Sequence, residues 1–212
     1  PILLPKKDTI SDLVTAALPS VAVRIPEHPI FRSLLERLEF PLAAPSANPF
    51  GYVSPTLAEH VASTLGDRIL AVIDGGACKH GVESTIVDLR DPDAPKILRP
   101  GPLSAEQLGM QDVEMELKQG SNKLAQAAPG MLTQHYSPNT PITLFGHDEQ
   151  PSNVRKSEAV LYNTKPAGKV AENTFWLSES GDLTEIAHNL FMLIQRLDVR
   201  DYTQLKVERA EH

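Results

Sequence analysis

Ser84-Thr85-Ile86-Val87-Asp88-Leu89 and Lys96-Ile97-Leu98-Arg99, on either side of Asp91-Pro92, read as two strands joined by an Asp-Pro turn. Upstream, Ile69 to Ile73 reads as a buried strand stopped by Asp74-Gly75-Gly76. Before it, Ser54-Pro55-Thr56 reads as a helix start, with serine as N-cap and proline at the first helical position. Leu57, Val61 and Leu65 make that helix's buried face, and Gly66 ends it. Pro41 to Pro45 is extended and apolar. Ile30, Phe31, Leu34, Leu35 and Leu38 form a helical stripe over His28 to Leu38. Val21 to Ile25 and Ile2-Leu3-Leu4 are strand-like, and Ser104 to Leu108 is a short capped helix. Strands therefore alternate with helices, the signature of an α/β sheet.

Downstream the pattern changes. Gln119 to Thr140 carries Gly120, Ser121, Asn122, Pro129, Gly130, Ser137, Pro138 and Asn139 with no sustained apolar period, so it reads as an interdomain linker. His135 and Tyr136 are residues a pure spacer has little use for. After it, Ile142 to Phe145, Ala159 to Tyr162 and Thr174 to Leu177 are strand-like, and Leu205-Lys206-Val207 is a last strand with nothing after it to close a sheet. Asp182-Leu183-Thr184-Glu185 is a capping-box sequence, followed by a stripe of Leu183, Ile186, Leu190, Leu193, Ile194 and Leu197. The expected organisation is a first domain over 1–118, a linker or lid over 119–140, and a small, truncated α/β domain over 141–212.

With 212 residues, 41% of them hydrophobic and 22% charged, the chain can build a packed core. No unbroken apolar run exceeds five residues, against about 20 for a membrane span. A net charge of -7 disfavours a bulk basic face for duplex nucleic acid but leaves room for a local cationic pocket. The single cysteine, Cys78, rules out an internal disulfide and a four-cysteine zinc site. A reducing, cytoplasmic setting is expected. Opening at Pro1, directly in a strand-like run, the sequence reads as a piece of a longer protein with material before Pro1.

No Gly-x-Gly-x-x-Gly, Gly-Lys-Ser/Thr phosphate loop or Gly-x-Ser-x-Gly elbow is present. The informative polar islands sit at the ends of apolar runs. Arg24 ends a strand, where a planar fork suits a carboxylate or phosphate, or else a structural ion pair. In Ala43-Ala44-Pro45-Ser46-Ala47-Asn48, small residues leave room beside a hydroxyl and an amide. That turn can present donors to phosphate oxygens or bond its own backbone. Cys78, His80 and Glu83 match no standard zinc spacing, and a glycine-hinged loop positioning Ser84 is the better reading. Arg99-Pro100-Gly101 places a second arginine at a strand end. His147, Asp148, His188 and Asp198 are scattered and read as ordinary surface residues.

Taken in order, six motifs resemble the YrdC-like family in its long, two-domain, threonylcarbamoyl-AMP-forming form. They are Val21-Ala22-Val23-Arg24-Ile25-Pro26, Ala44-Pro45-Ser46-Ala47-Asn48, Ser54-Pro55-Thr56, Asp74-Gly75-Gly76, Gly81-Val82-Glu83-Ser84-Thr85-Ile86 and Leu98-Arg99-Pro100-Gly101. Pro129-Gly130-Met131 through His135-Tyr136-Ser137-Pro138 resembles the segment joining that form's domains. The resemblance implies a twisted α/β sheet around a concave cavity, present here in part, plus a second small Rossmann-like domain. It implies a nucleotidyltransferase that makes L-threonylcarbamoyl-AMP and pyrophosphate from L-threonine, bicarbonate (or CO2) and ATP, with Mg2+ on the phosphates. A partner transferase would then modify tRNA, with at most a weak RNA contact by this protein and none with a membrane.

By resemblance, Arg24, Ser46 and Asn48 would be catalytic. Arg24, Ala44 and Ser84 would bind threonine, and Ser20, Ser46, Ser54, Arg99 and Tyr136 would contact ATP. The second domain would cover the cavity or control the lid. The family's Lys-x-Arg element would lie before Pro1, so the 212 residues alone are expected to be inactive and the intact protein active. Two other readings compete. One is a carbamoyl-AMP-forming domain of the hydrogenase-maturation type; the other is a non-catalytic RNA- or nucleotide-binding module.

Overall fold

The computed structural model describes residues 1–110, 136–147 and 149–210, which fall into two compact units. The first comprises Pro1–Ser46 with the described residues that follow Val82 up to 110. The second comprises Ala47–Val82 with the described residues from Tyr136 onward. Both are mixtures of strand and helix, each built on its own four-stranded sheet.

In the first unit the chain runs β1 (Ile2–Pro5), α1 (Asp12–Thr15), β2 (Ser20–Val23), α2 (Pro29–Leu35), β3 (Ile86–Asp88) and β4 (Lys96–Arg99). The sheet order is β2-β1-β3-β4. β1 is antiparallel to β2, with Ile2 opposite Val23, and parallel to β3, with Ile2 opposite Val87. β3 is antiparallel to β4, with Ile86 opposite Arg99. Leu3, Ile86 and Leu98 meet as its buried apolar centre. α1 is a single turn: Ser11 accepts from the Leu13 amide, and Ala16, at φ 50°, stops the helix. α2 is shorter than its apolar stripe suggests. Arg37 and Leu38 donate to the carbonyls of Leu34 and Leu35, so the end tightens into i→i+3 bonds. The helix expected at Ser104 is a single turn, capped reciprocally by Ser104 and Gln107.

The second unit contains α3 (Ala58–Leu65), β5 (Ile142–Phe145), β6 (Glu158–Thr164), β7 (Thr174–Ser178), α4 (Leu183–Asp198) and β8 (Gln204–Glu208). All its strand pairs are parallel, in the order β5-β8-β6-β7. β8 thus lies inside the sheet, paired along both edges, and not at an unclosed end. Leu161, Leu197 and Leu205 are fully buried, and Val53 joins them from the 47–82 stretch. Burying such side chains is worth about 1.5–3 kcal/mol each, which accounts for residues 47–82 packing with the C-terminal strands. The C-terminal part of the second unit begins at Tyr136, inside the stretch read as linker, and residues 47–82 join it. Of the stretch read as linker, residues up to 135 lie outside the described residues.

Three local expectations need correction. Ile69 to Ile73 is not a buried strand: Leu70 and Ile73 are exposed, and no described strand runs beside the segment. An apolar run becomes a strand only where a neighbour takes its backbone bonds. Ser54 does not cap the helix that follows. It is buried, and its carbonyl accepts from Gln195, so the chain stays extended until Leu57 and α3 starts at Ala58. At α4, Asp182 does accept from the Glu185 amide. The Glu185 carboxylate instead takes the hydroxyl proton of the buried Ser178, whose oxygen accepts from the Asp182 amide.

At the start of α3, the His60 Nδ1 accepts from the Thr56 amide at 3.3 Å, which requires a neutral ring. Burial pulls the imidazole pKa down, only partly opposed by Glu59. Because the unfolded chain binds the proton more readily, this contribution is present above pH about 6.5 and is lost as pH falls through the folded value. The melting temperature should therefore decline as pH drops below about 6.5, and His60→Asn should flatten that part of a melting-temperature profile.

Candidate active site

The candidate residues fall in both units. In the first unit the sheet register fixes the geometry. Arg24 follows the C-terminal end of β2, Ser84 precedes the N-terminal end of β3, and Arg99 closes β4. With β2 and β4 running against β1 and β3, all three lie at one end of the sheet. Ile2, opposite Val23 and Val87, marks that end.

The two arginines differ in state. Arg99 is mostly buried, with 13% of its side chain exposed, and its fork braces the loop before β3. Its Nε donates to the Ser84 carbonyl at 3.0 Å, one Nη donates to the Ser84 hydroxyl at 3.2 Å, and Glu83 lies 3.4 Å away. Thr85 locks the same loop a second time, donating its hydroxyl to the Leu103 carbonyl at 2.8 Å and accepting from the Leu103 amide. Gly101 allows this approach, since a β-carbon there would overlap the backbone of Glu83, Ser84 and Thr85. Arg24, by contrast, is exposed. This sheet end therefore pairs an accessible guanidinium with a hydroxyl held at a fixed place, the combination that grips a carboxylate and a neighbouring polar group.

Ser20 does not belong to that group. It is buried opposite Pro5, at the far end of β2, four residues from Arg24, or about 13 Å along a strand. Ala44 and Ser46 lie on an exposed irregular stretch of the first unit, and among the described residues no hydrogen bond ties them to the sheet end.

In the second unit, Asn48 forms a self-bonded turn: its Nδ2 donates to the carbonyls of Pro49 and Tyr52 at 2.9 and 3.1 Å. Its Oδ1 is buried and has no partner among the described residues. Ser54 is buried beneath the Gln195 amide. Tyr136 stacks at 5.5 Å on Phe191 and has φ 59°, a left-handed conformation uncommon for a bulky residue. Cys78 is exposed, and among the described residues no three His, Cys, Asp or Glu side chains gather as metal ligands. No helix among them is long and apolar enough to cross a membrane.

Three of the residues read as ordinary surface positions, Asp198, His188 and His147, make specific contacts. Asp198 accepts from the Tyr52 hydroxyl at 2.6 Å, the Thr140 amide at 2.7 Å, and the Asn139 amide and side chain at 3.1 Å. Burial opposes its ionisation, but these donors outweigh it and hold the carboxyl below its usual range. Burial, together with Asp198, pushes the Tyr52 phenol up, so Tyr52 remains a donor. His188 Nδ1 meets the Lys79 carbonyl at 3.0 Å, and His147 meets the buried Glu208 carboxylate at 2.7 Å. Asp148 lies outside the described residues.

Residues 1–101 match the family described as Telomere recombination, and residues 103–212 match the Threonylcarbamoyl-AMP synthase, C-terminal domain. The chain is 36% identical to threonylcarbamoyl-AMP synthase of Pyrococcus abyssi, across 93% of this chain and 61% of that protein. It is 43% identical to the Bacillus subtilis enzyme of that name across 68% of this chain and 42% of the other. For the Schizosaccharomyces pombe enzyme the identity is 35%, across 98% and 58%. The chain thus spans between 42% and 61% of these relatives. The crystal structure of P. abyssi Sua5 complexed with L-threonine superposes with a TM-score of 0.83 at 33% identity, covering 99% of this chain and 64% of that one. Matched along its length by both domain models in succession, the chain belongs to the YrdC-like family in its two-domain form.

Proposed function

We propose that the full-length protein condenses L-threonine, bicarbonate (or CO2) and ATP into L-threonylcarbamoyl-AMP and pyrophosphate, supplying a tRNA-modifying transferase. The observation that carries this reading is the exposed Arg24 at the same sheet end as the braced Ser84, in a fold that superposes on a threonine-bound relative.

In this reading the Arg24 fork takes the threonine carboxylate, and Ser84 and the Ala44 backbone complete the amino-acid pocket. Arg99 holds Ser84 in place and lends positive charge toward the nucleotide. Ser46, Ser54 and Tyr136 contact ATP, with Asn48 completing the Ser46-Ala47-Asn48 element. Ser20, the remaining ATP contact of this reading, is buried at the far end of β2. Magnesium enters as part of the MgATP substrate. The chemistry needs no covalent intermediate on the protein: the threonine amine adds to CO2, and a carbamate oxygen displaces pyrophosphate at the α-phosphorus. Catalysis is then positioning and charge neutralisation.

Pyrophosphate release by the full-length protein tests the reading. Release should require threonine, bicarbonate and MgATP together. Turnover that uses carbamoyl phosphate in place of bicarbonate would point to the hydrogenase-maturation chemistry. RNA affinity without ATP affinity would point to a binding module.

A further inference from the structure

Helix α4 carries a buried glutamine among its apolar residues. Gln195, 5% exposed, lies among Leu193, Ile194 and Leu197. Its Nε2 donates to the Ser54 carbonyl at 2.7 Å and approaches the Val53 carbonyl at 3.5 Å. Those carbonyls belong to a stretch with no strand beside it among the described residues, and the Gln195 amide satisfies them. One turn further along, Asp198 takes the Tyr52 hydroxyl, next in sequence to Val53. It also takes the amides of Asn139 and Thr140, three and four residues after Tyr136. The Ser137 amide donates to the Gly51 carbonyl at 2.9 Å. The strained Tyr136 backbone is thus fixed by its own ring on Phe191 and by bonds on the chain that follows it. Two side chains three residues apart on one helix hold both segments, 52–54 and 139–140.

We propose that Gln195 and Asp198 are positioning residues for nucleotide binding, acting through Ser54 and Tyr136. This gives the C-terminal family domain a defined task in the reaction, and it rests on the reading that Ser54 and Tyr136 contact ATP. Gln195 acts on the main chain of Ser54, so its loss displaces the hydroxyl without removing it. Asp198 fixes the root of the segment bearing Tyr136.

Steady-state kinetics of the full-length protein test this with Gln195→Met, which keeps length and removes the amide donors, and Asp198→Asn, which keeps size and removes the charge. Each should raise the KM for ATP about tenfold, the scale of one buried hydrogen bond. The KM for threonine and kcat should stay within about twofold, inside the scatter expected of a site not touched. Gln195→Met added to Ser54→Ala should raise the KM for ATP no further than Ser54→Ala alone, because both act at one contact. Leu193→Ala, a cavity in the same helix, should lower the melting temperature without this split. Equal rises in both KM values, shared by Leu193→Ala, would reduce the two residues to general stability and overturn the proposal. So would an unchanged KM for ATP in an active enzyme. An unsubstituted protein that makes no threonylcarbamoyl-AMP refutes the activity itself, which is a different failure. If one variant does not fold, the other decides.

Discussion

Gly81→Ala is expected to lower the melting temperature by about 10 °C, corresponding to about 3 kcal/mol in a chain of this size. A β-carbon at Gly81 would overlap the His188 carbonyl of α4 and lie 2.7 Å from that of Ala187. Those oxygens belong to the helix ladder, so they cannot yield without breaking backbone bonds. The loop cannot retreat either, because the Lys79 carbonyl is tied to the His188 ring and the Cys78 amide donates to the Thr56 carbonyl. Gly76→Ala is the control. Gly76 has open space around its β-position but φ 82°, so only backbone strain of about 1 kcal/mol applies. Thermal unfolding of both variants should separate them clearly. Equal, small shifts would mean that the loop does not rest on α4 as described.

Arg24→Ala is expected to cut kcat/KM for threonine in the full-length enzyme by about a hundredfold, equivalent to about 3 kcal/mol from two charge-assisted hydrogen bonds. Arg24→Lys should recover only part of this, since an ammonium offers a point charge and not a fork. The effect should fall on threonine and spare ATP. The equivalent change at Arg99 should behave differently: Arg99 braces Ser84 and Glu83, so its loss should disturb the 83–85 loop and reduce stability along with activity. Initial rates against threonine and ATP concentration, with melting temperatures alongside, distinguish the two roles. A loss at Arg24 confined to ATP would contradict the assignment of its fork to the amino-acid carboxylate.

What the sequence reveals depends on how far apart the interacting groups are. β5 and α4 are close to their apolar patterns because a strand's run and a helix's stripe are local properties. Even so, Leu183, read as part of the α4 stripe, is exposed. Ile69 to Ile73 has a strand's composition but no described neighbour, and composition carries no information about neighbours. Ser54-Pro55 has the chemistry of a helix start, yet a glutamine 141 positions away holds Ser54 out of that role. Arg24, Ser84 and Arg99 could be brought together only by motif order, since strand register sets their common edge. Asp198 gave no signal at all. An aspartate near a helix C-terminus opposes the dipole, and only its four donors show why it sits there.

The most direct measurement follows carbon from labelled bicarbonate. Full-length protein incubated with 13C-bicarbonate, L-threonine and MgATP should yield a nucleotide whose mass is that of threonylcarbamoyl-AMP with one heavy carbon, and Arg24→Ala should nearly abolish it. An adenylate lacking the heavy carbon, or a labelled product that forms equally well without threonine, would contradict the reaction assigned to this site.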